Sequence, residues 1–187
     1  MSPSENNLLP EEVNRGRKLS RALSTLFNFK TYLHLFRILH YYNYSHVGPV
    51  SKIKLGSGSS LAPNVSLRNG ERIEIGDDCH IGERAYLWAG DKTGRIIIGN
   101  NVSLAPEVYI TASDYRFEKG KPFRYQRKNE RNVRIGNDVW LGVRVVVTAG
   151  VTIGNGCIIG AGAVVTKSIE ANSIAAGVPA KVLKQRQ

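Results

Sequence analysis

Between Ile135 and Val165 the chain repeats itself every six residues, as IGNDVW, LGVRVV, VTAGVT, IGNGCI and IGAGAV, with an aliphatic residue at 135, 141, 147, 153 and 159 leading on to Val165. The fifth place of each block is small or valine. A period of six matches neither the roughly 3.6-residue turn of an amphipathic helix nor the unbroken alternation of a flat strand. It suits a chain that makes a short strand, turns a corner, and closes a coil after three such sides. A lone coil of this kind cannot bury its apolar face, so coils must stack to make a core.

The pattern extends upstream. Leu55, Leu61 and Leu67 make one three-sided coil; Ile75 (IGDDCH), Ile81 (IGERAY) and Leu87 a second; Ile98 (IGNNVS), Leu104 (LAPEVY) and Ile110 a third. With 135/141/147 and 153/159/165 that is five coils, interrupted by two residues after Leu67, five after Leu87 and a long break after Ile110. The expected architecture is an all-β solenoid: an N-terminal arm and amphipathic helical segment over 1–47, a parallel β-helix of about five coils over 48–170 with one long loop excursion at 112–134, and a C-terminal tail over 171–187. The coils should begin at Pro49. Cys79 and Cys157 take the inward fifth place three coils apart, about 14 Å at a strand spacing of about 4.8 Å, which is beyond disulfide reach. Both read as core thiols, in keeping with a reducing compartment.

Residues 1–10 read as a disordered arm, and Pro10-Glu11-Glu12 as a helix start with proline and acidic residues in its first turn. From there to Tyr44, Leu19, Leu23, Leu26 and Phe27, then Tyr32, Leu33, Leu35, Phe36 and Leu39, fall at helical spacing, giving one or two amphipathic helices. Arg15, Arg17, Lys18, Arg21, Lys30 and Arg37 make the segment basic against Glu5, Glu11 and Glu12. Three placements stay open for it: a cap on the solenoid, part of an acceptor site, or a seat on a membrane surface. His34, His40 and His46, without metal-ligand neighbours, read as structural. Nothing resembles a signal peptide and no apolar run spans a bilayer, so the expected location is cytoplasmic, with peripheral attachment to the inner face of the membrane left open.

A net charge of +11 implies an anionic partner: a nucleotide-containing cofactor, an acidic sugar, a membrane surface or nucleic acid. The charge gathers after Ile110. Between Ala112 and Arg134 stand eight basic residues against Asp114, Glu118 and Glu130, a local balance of +5 that suits phosphates or a carboxylated sugar. No nucleic-acid motif or regular aromatic interleaving accompanies it, so nucleic acid is not an expected partner. The other break, AGDKTGR over 89–95, is rich in turn residues and is assigned no function.

The repeats resemble those of the hexapeptide-repeat acyltransferases, and the closing part is similar to sugar O-acetyltransferases of the maltose and galactoside type. The resemblance rests on Asp138-Val139-Trp140-Leu141-Gly142, on Ile159 to Lys167 (IGAGAVVTK), and on Ala176 to Val182 (AGVPAKV), and covers residues 50–184. It implies a left-handed parallel β-helix and a homotrimer with its sites between subunits. The implied reaction is acetyl transfer from acetyl-CoA to a hydroxyl or amine of a sugar or nucleotide sugar, in glycan or nucleotide-sugar biosynthesis. β-Helices resembling γ-class carbonic anhydrases need three histidines converging on zinc, whereas these coils hold only His80, so no metal is expected.

In the family the base is a histidine five residues after the last coil aliphatic before the excursion; here that aliphatic is Ile110, and Tyr115 stands five further on. An unperturbed phenol, near 10 against about 6.5 for imidazole, is a poor base at neutral pH. The asparagine that supports the histidine in close relatives is also missing, the matching step being Ile81-Gly82. Three routes remain: Tyr115 as a phenolate among arginines and lysines, Asp114 or His80 as the base, or an amine acceptor that needs positioning more than deprotonation. Trp140 resembles the family tryptophan near the acceptor, though an aromatic at a subunit interface fits equally, and Arg116 joins it as an acceptor contact. By the same resemblance pantetheine passes Gly142, Val143 and Ala161, while Thr166, Lys167, Lys181 and Lys184 take the adenine and phosphate end. Lys184 stands where relatives often have arginine. The exchanged base keeps a second class of function in play, a non-catalytic CoA-binding or assembly scaffold.

Overall fold

The computed structural model describes the chain from Pro10 and its side chains from Arg17. The arm expected over 1–10 therefore lies, Pro10 excepted, outside the described residues. Two units emerge, one ending at Tyr42 and one from Asn43 to Gln187. The first holds two helices, α1 (Pro10–Leu26) and α2 (Phe29–Tyr42), parted at Asn28, whose side chain accepts from the Lys30 N–H at 3.0 Å and starts the second helix. Among the described residues no helix is long and apolar enough to cross a membrane.

The second unit is a parallel β-solenoid with three faces. The first face stacks Lys54–Leu55, Ile73–Ile75, Ile96–Ile98, Val133–Ile135 and Thr152–Ile153. The second stacks Ser60–Leu61, His80–Ile81, Ser103–Leu104, Trp140–Leu141 and Ile158–Ile159, and the third Ser66–Arg68, Tyr86–Trp88, Tyr109–Thr111, Val146–Val147 and Val164–Val165. Every aliphatic of the hexapeptide pattern meets its counterpart: Leu55, Ile75, Ile98, Ile135 and Ile153 form one column and Leu67, Leu87, Ile110, Val147 and Val165 another. From the second coil on, these side chains are at most 3% exposed. Burying each one contributes about 1.5–3 kcal/mol, and the stack is the core. Cys79 and Cys157 are both buried and free, as their position predicts.

The corners explain the rest of the repeat. Between the first and second faces Gly58, Asp78, Asn101, Asp138, Gly156 and Asn172 all hold positive φ, the left-handed backbone that glycine, asparagine and aspartate tolerate. Just before them runs a side-chain ladder. Asp77, Asn100, Asn137 and Asn155 each accept, through Oδ1, a backbone N–H from the coil below, at 2.7–2.9 Å. Turn donors that a sheet leaves over are thus paired coil by coil.

Both ends differ from the expectation. Pro49 sits in a short helix, α3 (Gly48–Val50), and the first strand begins only at Lys54, because a proline there suits the first turn of a helix better than a hydrogen-bonded sheet. The segment from 171 is no loose tail. Ile169 bridges to Ile153, Ser173–Ala176 adds a sixth rung to the second face, and Lys181–Gln185 returns antiparallel to it, pinned by Arg186 on Asp138 at 2.7 Å.

Candidate functional site

The excursion after Ile110 is a hairpin arm. Ser113–Tyr115 pairs antiparallel with Lys128–Glu130, Tyr115 opposite Lys128. The arm leaves the third face beside Trp88, the partner of Thr111, and its root is held by Arg131 N–H on the Ala112 carbonyl at 3.0 Å. A stronger anchor is Glu130. Its carboxylate accepts the backbone N–H groups of Asp91, Lys92, Thr93 and Gly94 and the Thr93 hydroxyl, all from the AGDKTGR turn. Burial alone would push this carboxyl up. The N–H donors of Thr93, Gly94 and Asp91 and the Thr93 hydroxyl outweigh that and hold it at about 2 instead of 4.5. Lys128 completes the root: its ammonium lies 4.2 Å from the Trp88 ring centre and 5.3 Å from that of Tyr115, and 2.7 Å from Asp91.

Two clefts flank Tyr115. One of about 760 Å³ lies toward the turn and is lined by Asp91, Lys92, Arg124, Arg127, Lys128 and Glu130 among others; the other, about 610 Å³, lies outward and takes in Asp114, Arg116, Phe117 and Arg131. Asp114 is 3.7 Å from Arg131, and Arg116 3.7 Å from Glu118. Tyr115, Asp114 and Arg116 therefore share one cleft. His80 does not join them: it stands on the second face, its Nδ1 3.1 Å from the Ser60 hydroxyl, in the outward row Ser60, His80, Ser103, Trp140. Within one chain, His80 and Trp140 share a face and the arm leaves from another.

The expected carrier residues divide likewise. Gly142, Val143 and Ala161 meet at the corner between the second and third faces, where Gly142 N–H donates to the Ile159 carbonyl and Gly162 N–H to that of Val143, both at 2.8 Å. A Cβ on Gly142 would stand 2.7 Å from the Ala161 nitrogen, and among the described residues the Ala161 N–H meets no acceptor. Gly142 is buried, and its missing side chain lets the backbone of the next coil stack directly on it. The return strand sets Lys181 opposite Ala176 at this corner and Lys184 opposite Ile174 at the end of the Trp140 row. Thr166 and Lys167 are exposed just past the last strand of the third face, away from that corner.

Two features of the site were not anticipated from the residues. The AGDKTGR turn is the nest that grips the arm, and Lys128 is the cation held between two rings. The signal for the first was present: glycines at 90 and 94 with polar residues between them favour clustered N–H groups, and Glu130 is the last of only three acids in a basic stretch. A further ladder lies beside the carrier corner, where Glu107 accepts from Arg84 and Arg144, so that first Arg144 and then Arg84 hold its carboxyl below the usual range.

Residues 132–167 match the family described as bacterial transferase hexapeptide (six repeats), and 72–112 the one described as hexapeptide repeat of succinyl-transferase. The galactoside O-acetyltransferase of Escherichia coli (strain K12) is 35% identical over 162 residues, covering 79% of this chain and 75% of that protein. Among solved structures, a galactoside acetyltransferase in complex with coenzyme A superposes with a TM-score of 0.68 at 30% identity, over 83% of this chain and 80% of that one. A maltose O-acetyltransferase from Clostridium difficile 630 superposes with a TM-score of 0.61 at 29% identity, over 74% and 73%.

Proposed function

Since this chain belongs to the hexapeptide-repeat acetyltransferases, left-handed parallel β-helix enzymes that use acyl-CoA, we propose that it moves an acetyl group from acetyl-CoA to a hydroxyl or amine of a sugar. The observation that carries this reading is the stripped corner at Gly142 and Ala161. A backbone N–H without a protein acceptor is what a pantetheine amide or a thioester oxygen needs, and a side chain on Gly142 would push the Ala161 backbone that carries it out of place. Lys181 beside the corner, and Lys184, Thr166 and Lys167 farther off, are the groups assigned to the phosphates.

In the transfer step the acceptor's oxygen or nitrogen attacks the thioester carbonyl carbon and the carbonyl becomes an oxyanion. The C–S bond then breaks, and the coenzyme A sulfur leaves as a thiolate that takes up the proton the acceptor gave to the base, which restores the base. The proton lost by the acceptor goes to Asp114 in this assignment, because a carboxylate takes a proton directly whereas the Tyr115 phenol must first lose one. Tyr115 and Arg116 orient the acceptor across the same cleft. A homotrimer supplies the missing geometry, setting the arm of one subunit against the corner and the Trp140 row of the next. What supports it is that one chain keeps these groups on different faces.

The test is calorimetric titration with acetyl-CoA, followed by coenzyme A release over a panel of sugars and amino sugars, corrected for hydrolysis. One carrier per subunit should bind, more weakly in Lys167→Glu, and at least one acceptor should drive release. Tyr115 in the histidine place favours a second reading, a CoA-binding scaffold. Saturable binding with no release for any acceptor would select it, and absence of binding would remove both.

A further inference from the structure

The cleft between the arm and the AGDKTGR turn has more positive charge than its own carboxylates can use. Four bases line it, Lys92, Arg124, Arg127 and Lys128, with two acids, Asp91 and Glu130. Both acids are committed, Glu130 to the backbone of the turn and Asp91 to Lys128. Elsewhere on the arm Glu118 serves Arg116 and Lys121, and Asp114 serves Arg131. Among the described residues Lys92, Arg124 and Arg127 have no acidic partner. Like charges gathered in a concave site raise one another's energy, and an anion entering it is attracted by all three at once.

The cleft is also built. Gln126, only 8% exposed, donates from its amide to the carbonyls of Glu118 and Lys121 and accepts the Glu118 N–H at 2.8 Å, which fixes the backbone between the two arginines. Tyr115 supplies an aromatic wall, and the volume of about 760 Å³ is that of a small-molecule site. We propose that this cleft holds the anionic group of the acceptor, a phosphate or a carboxylate attached to the sugar, with Arg124 and Arg127 as its forked donors and Lys92 as a third charge. Tyr115 lines both this cleft and the one that takes in Asp114. The assignment of the anion to the acceptor rests on the sugar-transfer reading; the anion site itself does not.

The experiment titrates the full chain, without acetyl-CoA, with uridine diphosphate, with glucuronate and with neutral methyl glucoside, and repeats this for Arg124→Gln/Arg127→Gln after confirming an unchanged unfolding midpoint. One of the two anions should bind at least tenfold tighter than the neutral sugar and lose that advantage in the double variant and on raising salt. The diphosphate winning names a nucleotide sugar, and glucuronate winning names an acidic sugar. Affinity for acetyl-CoA in the double variant should stay within twofold. Equal affinity for all three probes overturns the proposal. So does a parallel loss of acetyl-CoA affinity, which would give these cations to the carrier's phosphates. If anion binding passes while acetyl transfer fails with every sugar, the transfer reading falls and the anion site stands.

Discussion

At Gly142 the stack has no room for even one methyl group. The Cβ of an alanine there would come 2.7 Å from the Ala161 nitrogen and 3.0 Å from the Ile159 carbonyl oxygen, so the backbone of the next coil must give. Gly142→Ala should weaken acetyl-CoA binding by tenfold or more, about 1.4 kcal/mol, measured by the same calorimetric titration. An unchanged affinity would remove this corner from the carrier site. The residue types were legible here: small residues at 142 and 161 mark a place where something approaches the backbone. Their sequence positions did not tell that the Ala161 N–H, like that of Val143, meets no acceptor among the described residues, since that depends on which carbonyls the neighbouring coils have already used.

The arm behaves as an element because Glu130 ties it to a turn nearly forty residues away in sequence. Its folded value, about 2, lies below the ordinary 4.5, so the anchor contributes fully above about pH 4.5 and is lost as pH falls toward 2. Glu130→Gln removes the charge from hydrogen bonds of a kind that contribute about 1.5–3 kcal/mol to stability. Hydrogen exchange over residues 116–127 should accelerate at least tenfold in this variant at pH 7, and in the parent chain on acidification through the same window, while the coil amides stay protected. Equal protection of the arm in both proteins would show that the nest is not its anchor. The break in the repeat announced an excursion and its charge. It did not announce a hairpin, because the pairing of Ser113–Tyr115 with Lys128–Glu130 spans a basic stretch with no hexapeptide period to set its register.

For the whole molecule the prediction is shared sites. Light scattering should give about three times 20.6 kDa. Asp114→Asn and Gly142→Ala, each depleted in acetyl transfer alone, should recover part of it when co-expressed and assembled together, since some sites would then pair an intact arm with an intact corner. No recovery from mixed trimers would place the complete site within one chain and overturn the shared arrangement.

The solenoid was decided by local repetition. Six-residue spacing, left-handed corners at Asp78, Asn101 and Asp138, and inward aliphatics at three sides per coil leave one way to bury the apolar positions, and each coil sees only its neighbours. Even so, the edges of the stack needed the structure: Pro49 joined a helix and residues 173–185 joined the sheet, because a terminal coil is finished by whatever segment can reach it. The site is less local still. That Tyr115 faces Lys128 and two clefts, that His80 stays with Ser60 on another face, and that the AGDKTGR turn closes on Glu130 are all contacts between distant segments. Residue types announced the chemistry available, and only the stacking of coils decided which of those groups meet.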